Sequence, residues 1–205
     1  MPRVVRCGRG VTDRVVAFAG SLRRRSFNRA LIAAAAELAP AGMSIEPIEI
    51  GGLPFYDADV EADGDPPMVA AFKAALAGAD GLLIATPEYN NGIPGVLTTA
   101  IDWASRLPGR SPLAGKPVAV MGASPSLVGT ARGQLHLRQL LVHAQARILP
   151  PPEMLVPHAH ERFDASLRLT HEPTRRVLAD LLSRFGRWIA RESAADDAER
   201  KARSR

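Results

Sequence analysis

Three short stretches hold most of the side chains able to do chemistry. The first, "GSLRRRSFN" (20–28), sets two serines, three consecutive arginines and an asparagine behind an apolar run. Gly20 permits a tight turn, and Asn28 can cap the helix that follows. The free N–H groups of a helix start favour an anion, and an arginine beside them adds charge-assisted hydrogen bonds. Ser21, Ser26, Asn28 and an arginine of the run thus read as a phosphate-binding loop. Neither GxxxxGK followed by Ser or Thr nor GxGxxG is present, which points to a mononucleotide phosphate held by side-chain hydroxyls. The competing reading is a solvated turn whose serine and asparagine only cap a helix. Three arginines cannot all touch one phosphate, so at least one faces solvent or a different partner.

The second stretch is "TPEYNNGIPG" (86–95). Two prolines stiffen it, Gly92 and Gly95 let backbone approach closely, and Asn90 and Asn91 suit a cap or a turn. Such a loop can lie against a flat heterocycle and read its edge with N–H and C=O groups. Equally, it can be a rigid turn that packs Tyr89 into the core. The third stretch, "GASPSLVGTARGQ" (122–134), is rich in small residues, with Ser124 and Ser126 as donors and Arg132 near a helix start. It too can be an ordinary surface loop. No GxSxG elbow is present, and Asp102 beside Trp103 reads as a helix residue near the core rather than a general base. The five histidines lack zinc-site spacing, so no metal site is expected. His136 and His143, seven apart on one helix, suit a surface or an interface. No nucleophile–base pair emerges, and no catalytic side chain is expected.

These stretches follow apolar runs that read as buried strands: 14–20, 81–87 and 116–124. A weaker strand at 43–50 contains Pro47, which suits a sheet edge. Another, at 147–156, is interrupted by prolines. Helical patterns occupy 28–40, 66–80, 95–107 and 131–146, with a last long helix starting near Pro173. Strands alternating with helices imply βαβ units, a parallel sheet and an α/β three-layer domain. In such a domain ligands bind outside the carboxyl ends of the strands, where all three stretches would meet.

The chain of 205 residues suits one domain, expected over 14–190 between a flexible extension (1–13) and a charged, disordered or frayed tail (191–205). A net charge of +5 raises the question of nucleic acid, but arginine is scattered and aromatic residues make up only 5%. Nucleic acid is therefore not expected as a partner. No apolar run approaches the ~20 residues of a membrane span. The N-terminus has no apolar core of a secretory signal, and Cys7 has no cysteine to pair with, so a cytoplasmic location is expected.

Taken together, "GSLRRRSFN", "TPEYNNGIPGVLTTAIDWASRL", "LAGKPVAVMGAS" and "GTARGQLHLRQLL" resemble the NADPH-dependent FMN reductase family. These are flavodoxin-like quinone, chromate and azo-dye reductases, and the resemblance leans toward the bacterial chromate/quinone branch. It implies a flavodoxin-like fold, sheet order 2-1-3-4-5 and non-covalent FMN. The family's phosphate loop falls on Ser21, Leu22, Arg23, Ser26, Phe27 and Asn28. Its flavin-edge loop falls on Pro87, Glu88, Tyr89 and Asn90, and a serine after the fourth strand falls on Ser124. The chain departs from the family in having Ala123 where a second small hydroxyl is frequent, Pro125 after Ser124, and Thr98 in place of a common lysine. The implied activity is hydride transfer from NADPH (or NADH) through FMN to a small acceptor, which needs no acid–base pair in the protein. Quinones, chromate, azo compounds and free flavin are the acceptor types implied. A homodimer or homotetramer is implied as well. A flavodoxin-type electron carrier and a non-catalytic FMN-binding protein remain the alternatives.

Overall fold

The computed structural model describes residues 12–106, 109 and 111–204; Cys7 and most of the expected N-terminal extension lie outside them. Asp13, the last residue of that extension, opens the first strand. Strand β1 (Asp13–Ala19) is followed by α1 (Phe27–Glu37), β2 (Met43–Pro47), α2 (Ala58–Ala62), α3 (Pro67–Gly78), β3 (Gly81–Ala85) and α4 (Gly95–Ser105). Then come β4 (Pro117–Ala123), α5 (Ala131–His143), β5 (Arg147–Ile148), β6 (Met154–Val156) and α6 (Glu172–Arg203). Every strand pairing is parallel, in the order β2-β1-β3-β4-β5, with β6 also on β4. The expected order 2-1-3-4-5 is therefore the observed one.

β1, β3 and β4 read as unbroken apolar runs because both of their faces are covered. Val15, Ala17, Leu83 and Ala85 pack with Leu31 of α1 and Leu178, Leu182 and Phe185 of α6. Val16, Phe18, Leu82 and Ile84 pack on the opposite face with Leu76, Leu97, Ala100 and Leu137 from α3, α4 and α5. β2 is the edge strand that Pro47 suggested, and it stops at that proline.

Three expectations change. The single strand at 147–156 is two short strands, both laid on β4, because Pro150, Pro151 and Pro152 cannot donate to a ladder. The short helix α2, capped by Asp57, was not expected. The charged tail is not disordered over its described length: α6 continues to Arg203. Arg147 of β5 forms ion pairs with Asp196 at 2.6 Å and Glu192 at 3.3 Å, and Trp188 Nε1 donates to the Arg147 carbonyl. These contacts tie the first turns of the tail to the sheet edge, and good helix formers carry it onward.

Candidate functional site

Since β1, β3 and β4 are adjacent and parallel, the loops at their carboxyl ends emerge side by side. Ser21, Arg23, Ser26, Phe27, Asn28, Pro87, Glu88, Tyr89 and Ser124 line one cleft there, together with Ala123 and Pro125. Leu22 and Asn90 lie outside it. Leu22 reaches instead over Gly51, where an added Cβ would stand 2.8 Å from Leu22 Cδ2. Asn90 sits in the tip of the second loop.

In the first loop the helix cap is Ser26, not Asn28. Ser26 has extended backbone, and its Oγ accepts the Arg29 N–H at 3.3 Å. Asn28 lies in the first turn of α1, and its buried amide has a different task. Its Nδ2 donates to the Ala123 carbonyl and its Oδ1 accepts from the Ala123 N–H, both at 2.9 Å. The side chain of Asn28 thus clamps the start of α1 to the end of β4. The first-turn N–H groups of α1 have no intrahelical acceptor and carry the positive end of the helix dipole. Ser21 and Ser26 are buried beside them, and Arg23 is exposed with no ion pair among the described residues. Arg25 turns away, its Nη2 donating to the Ala165 carbonyl at 2.9 Å.

The second loop is a tight turn. The Tyr89 and Gly92 backbones exchange hydrogen bonds at 3.0 and 2.9 Å, with Asn90 and Asn91 both left-handed at φ 51° and 62°. Two consecutive positive φ values define a type I′ turn, and asparagine is the non-glycine residue that tolerates them best. Glu88 Oε2 accepts the Gly133 N–H at 2.9 Å, capping α5, whose own N-cap Thr130 makes no side-chain cap bond. Arg132 Nη1 donates to Asn91 Oδ1 at 2.8 Å. His136 packs beneath the turn, where a Cβ at Gly92 would stand 3.0 Å from its Nδ1. His136 therefore supports the loop rather than simply covering a surface. Tyr89 is half exposed, not packed into the core.

The third loop is braced from behind. The Ser124 N–H bonds the Val156 carbonyl, and Ser124 Oγ bonds Ser126 Oγ at 3.1 Å and accepts the Ser126 N–H at 3.2 Å. A Cβ at Gly122 would lie 2.1 Å from Thr130 Oγ1 and 2.4 Å from the Thr86 carbonyl, so only glycine fits between these loops. Asp102 stays away from the cleft on α4. Burial raises its carboxyl above the usual aspartate range, against the opposing pull of Arg106. Sequence patterns had not pointed to the segment after β6, where Phe163 packs on Phe27 at 5.4 Å between ring centres. A phenylalanine 136 residues further on carries no local mark of that contact.

The family model of NADPH-dependent FMN reductases matches residues 14–161, which include every residue of this cleft. A 2-hydroxy-1,4-benzoquinone reductase from a Burkholderia species is 43% identical over 176 residues, covering 86% of this chain and 96% of that protein. An NAD(P)H-dependent FMN reductase from Pseudomonas aeruginosa is 46% identical over 178 residues, covering 87% and 96%. Among solved structures, the flavoenzyme NAD(P)H:(acceptor) oxidoreductase FerB from Paracoccus denitrificans superposes with a TM-score of 0.81 at 34% identity, over 88% of this chain and 99% of that one. A parallel 2-1-3-4-5 sheet, three loops meeting at its carboxyl edge, and likeness along nearly the whole length of these relatives lead to one conclusion: the chain belongs to the NADPH-dependent FMN reductase family.

Proposed function

We propose that this chain is an NAD(P)H-dependent oxidoreductase that reduces quinones and related small acceptors through FMN held in the cleft. The observation that carries this reading is the convergence of a positively charged helix start with a stiff, backbone-rich turn in one cleft. The donor set fits the cofactor. Arg23, the hydroxyls of Ser21 and Ser26 and the first N–H groups of α1 would hold the phosphate. The Pro87–Tyr89 segment offers a stiff flank for a flat ring, and Ser124 lines the same cleft.

When bound, FMN supplies hydride acceptance from a nicotinamide and delivery of electrons to an acceptor. The chain's own part is placement. Arg23 anchors the charged end. The turn at residues 89–92, fixed by Glu88, Arg132 and His136 on α5, keeps the ring loop from moving. No histidine lines the cleft, and Glu88 Oε2 accepts from Gly133, which fits a reaction that asks the protein for placement rather than for an acid–base pair. Holding two reactants in line is itself a large contribution to rate.

The test is spectral. The purified protein should be yellow and release FMN on denaturation. Anaerobic NADPH or NADH should bleach it, and a quinone should restore the colour. FMN that stays oxidised with both nucleotides would leave the electron-carrier reading in its place. Parallel assays with chromate, an azo dye and free flavin rank the acceptors. His143→Ala, on the far turn of α5, should leave turnover within about tenfold, a barrier change under ~1.4 kcal/mol.

The chain is further inferred to act as a homodimer or homotetramer. Leu135 and Val142 stand 60% and 65% exposed on α5, the helix that also carries Arg132, and such a face suits a subunit contact. Light scattering on the purified protein checks this; a monomer overturns it. The cytoplasm remains the proposed location, on the lone Cys7. No helix among the described residues is long and apolar enough to cross a membrane.

A further inference from the structure

Beside the cleft lies a second cavity of about 300 Å³, between the loop of residues 23–27 and the segment after β6. The two share Arg23 and Phe27, which form the partition between them. Arg25 and His160 line the second cavity from two sides. Arg25 gives one N–H to the Ala165 carbonyl, which fixes its guanidinium at the rim and leaves its other donors. The acidic group of the cavity, Asp164, is already engaged. It accepts the N–H groups of Ser166 and Arg168 and the Arg168 guanidinium, all at 2.9 Å. His160 lies 3.6 Å from Glu161. With Arg23 given to the FMN phosphate, Arg25 is the guanidinium of the lining that remains without a carboxylate partner among the described residues.

FMN has one phosphate, and the start of α1 with Arg23 suffices for it. Arg25, with His160 in the same lining, suits a second phosphate monoester, since one guanidinium binds such a group through two parallel hydrogen bonds. Of the two reactants in the proposed reaction, only the nucleotide carries one to spare. We infer that the cavity lined by Arg25 and His160 takes the 2′-phosphate of NADPH, so that Arg25 sets the preference for NADPH over NADH. This inference rests on the proposed function, because it assigns a subsite to that reaction's electron donor.

The test uses the FMN-loaded protein and needs no turnover. Calorimetric titration should show adenosine 2′,5′-bisphosphate binding roughly tenfold tighter than ADP, the scale of one charge-assisted hydrogen bond at an accessible site. Arg25→Gln should abolish that preference, and His160→Gln should reduce it. Arg24→Gln, whose side chain lines neither cavity, should preserve it. In assays, the ratio of KM for NADPH to KM for NADH should rise about tenfold in Arg25→Gln. Equal affinity for the two adenosine ligands, or a preference that survives both Arg25→Gln and His160→Gln, overturns the assignment. Inorganic phosphate binding as tightly as the bisphosphate would give the cavity to free phosphate and overturn it too. A protein that holds FMN yet oxidises neither nucleotide sinks the functional reading instead, and the titration separates the two failures.

Discussion

At residues 21–28 the chain leaves charged and polar groups facing the cleft; at residues 86–92 it ties nearly all of them to each other and to α5. Arg23 has no ion-pair partner among the described residues, and the first-turn N–H groups of α1 lack intrahelical acceptors, with Ser26 Oγ capping that of Arg29. In the second loop, by contrast, Glu88 is bonded to Gly133, Asn91 to Arg132, and Tyr89 to Gly92. The difference follows from what each would recognise. A phosphate is read by donors that must be free to meet it. A flat ring is read by shape, and shape needs a loop that does not move. Replacements in the first loop should therefore discriminate between ligands with and without a phosphate, and replacements in the second should not.

The largest effect is expected where the first loop is itself tied down. Asn28→Ala strands the buried N–H and carbonyl of Ala123, which should lower the unfolding free energy by about 2–4 kcal/mol. Chemical denaturation measures it; a loss below ~1 kcal/mol would mean the clamp is not what joins α1 to β4. Next is Arg23→Ala. It should weaken FMN by about 1.5–3 kcal/mol while leaving riboflavin, which has no phosphate, nearly unchanged. Equal weakening of both ligands would erase the distinction between the loops.

Glu88→Ala sharpens the other side. Removing the carboxylate that caps α5 should cost about 1–2 kcal/mol of stability. Its effect on FMN and riboflavin should be nearly the same, because the lost cap shifts the ring loop, and the charge removed was directed at the start of α5 rather than at the phosphate subsite. Asn91→Ala puts a Cβ-bearing residue with no local hydrogen-bonding tip at φ 62°, at a cost of about 1 kcal/mol, whereas Asn90→Gly should be nearly neutral. Thermal melts of the two variants compare them directly.

The smallest effect concerns Asp164, in the segment that backs Phe27. The Arg168 backbone N–H, assisted by its guanidinium, holds this carboxyl below the usual aspartate range. The folded state therefore binds the proton less readily than the unfolded chain. The contribution to stability is complete above the ordinary value of about 4 and is lost as pH falls through the folded value. Asp164→Asn should flatten the acid limb of a stability–pH curve and leave its neutral plateau in shape.

Much of this protein is determined locally. The runs "VVAF", "LLIA" and "VAVMGA" are short, apolar throughout and bounded by turn residues, which suits strands covered on both faces, and covered parallel strands direct their following loops to one edge. Gly20, the serines and the arginines at the first such edge are the residue types on which the proposed anion site rests. Tertiary structure decided the rest, because it rests on partners that no local pattern names. Asn28 looks like a helix cap in sequence, yet it bonds a residue 95 positions away. Glu88 looks like a loop carboxylate, yet it caps a helix 45 positions on. The proline-broken strand became two because β4 had ladder groups to offer on both sides of the break. The charged tail has no apolar stripe to predict its helix; what holds its start is Arg147, brought beside it only once the sheet is built. A side chain's type limits the bonds it can make, and the fold decides which partner stands within 3 Å of it.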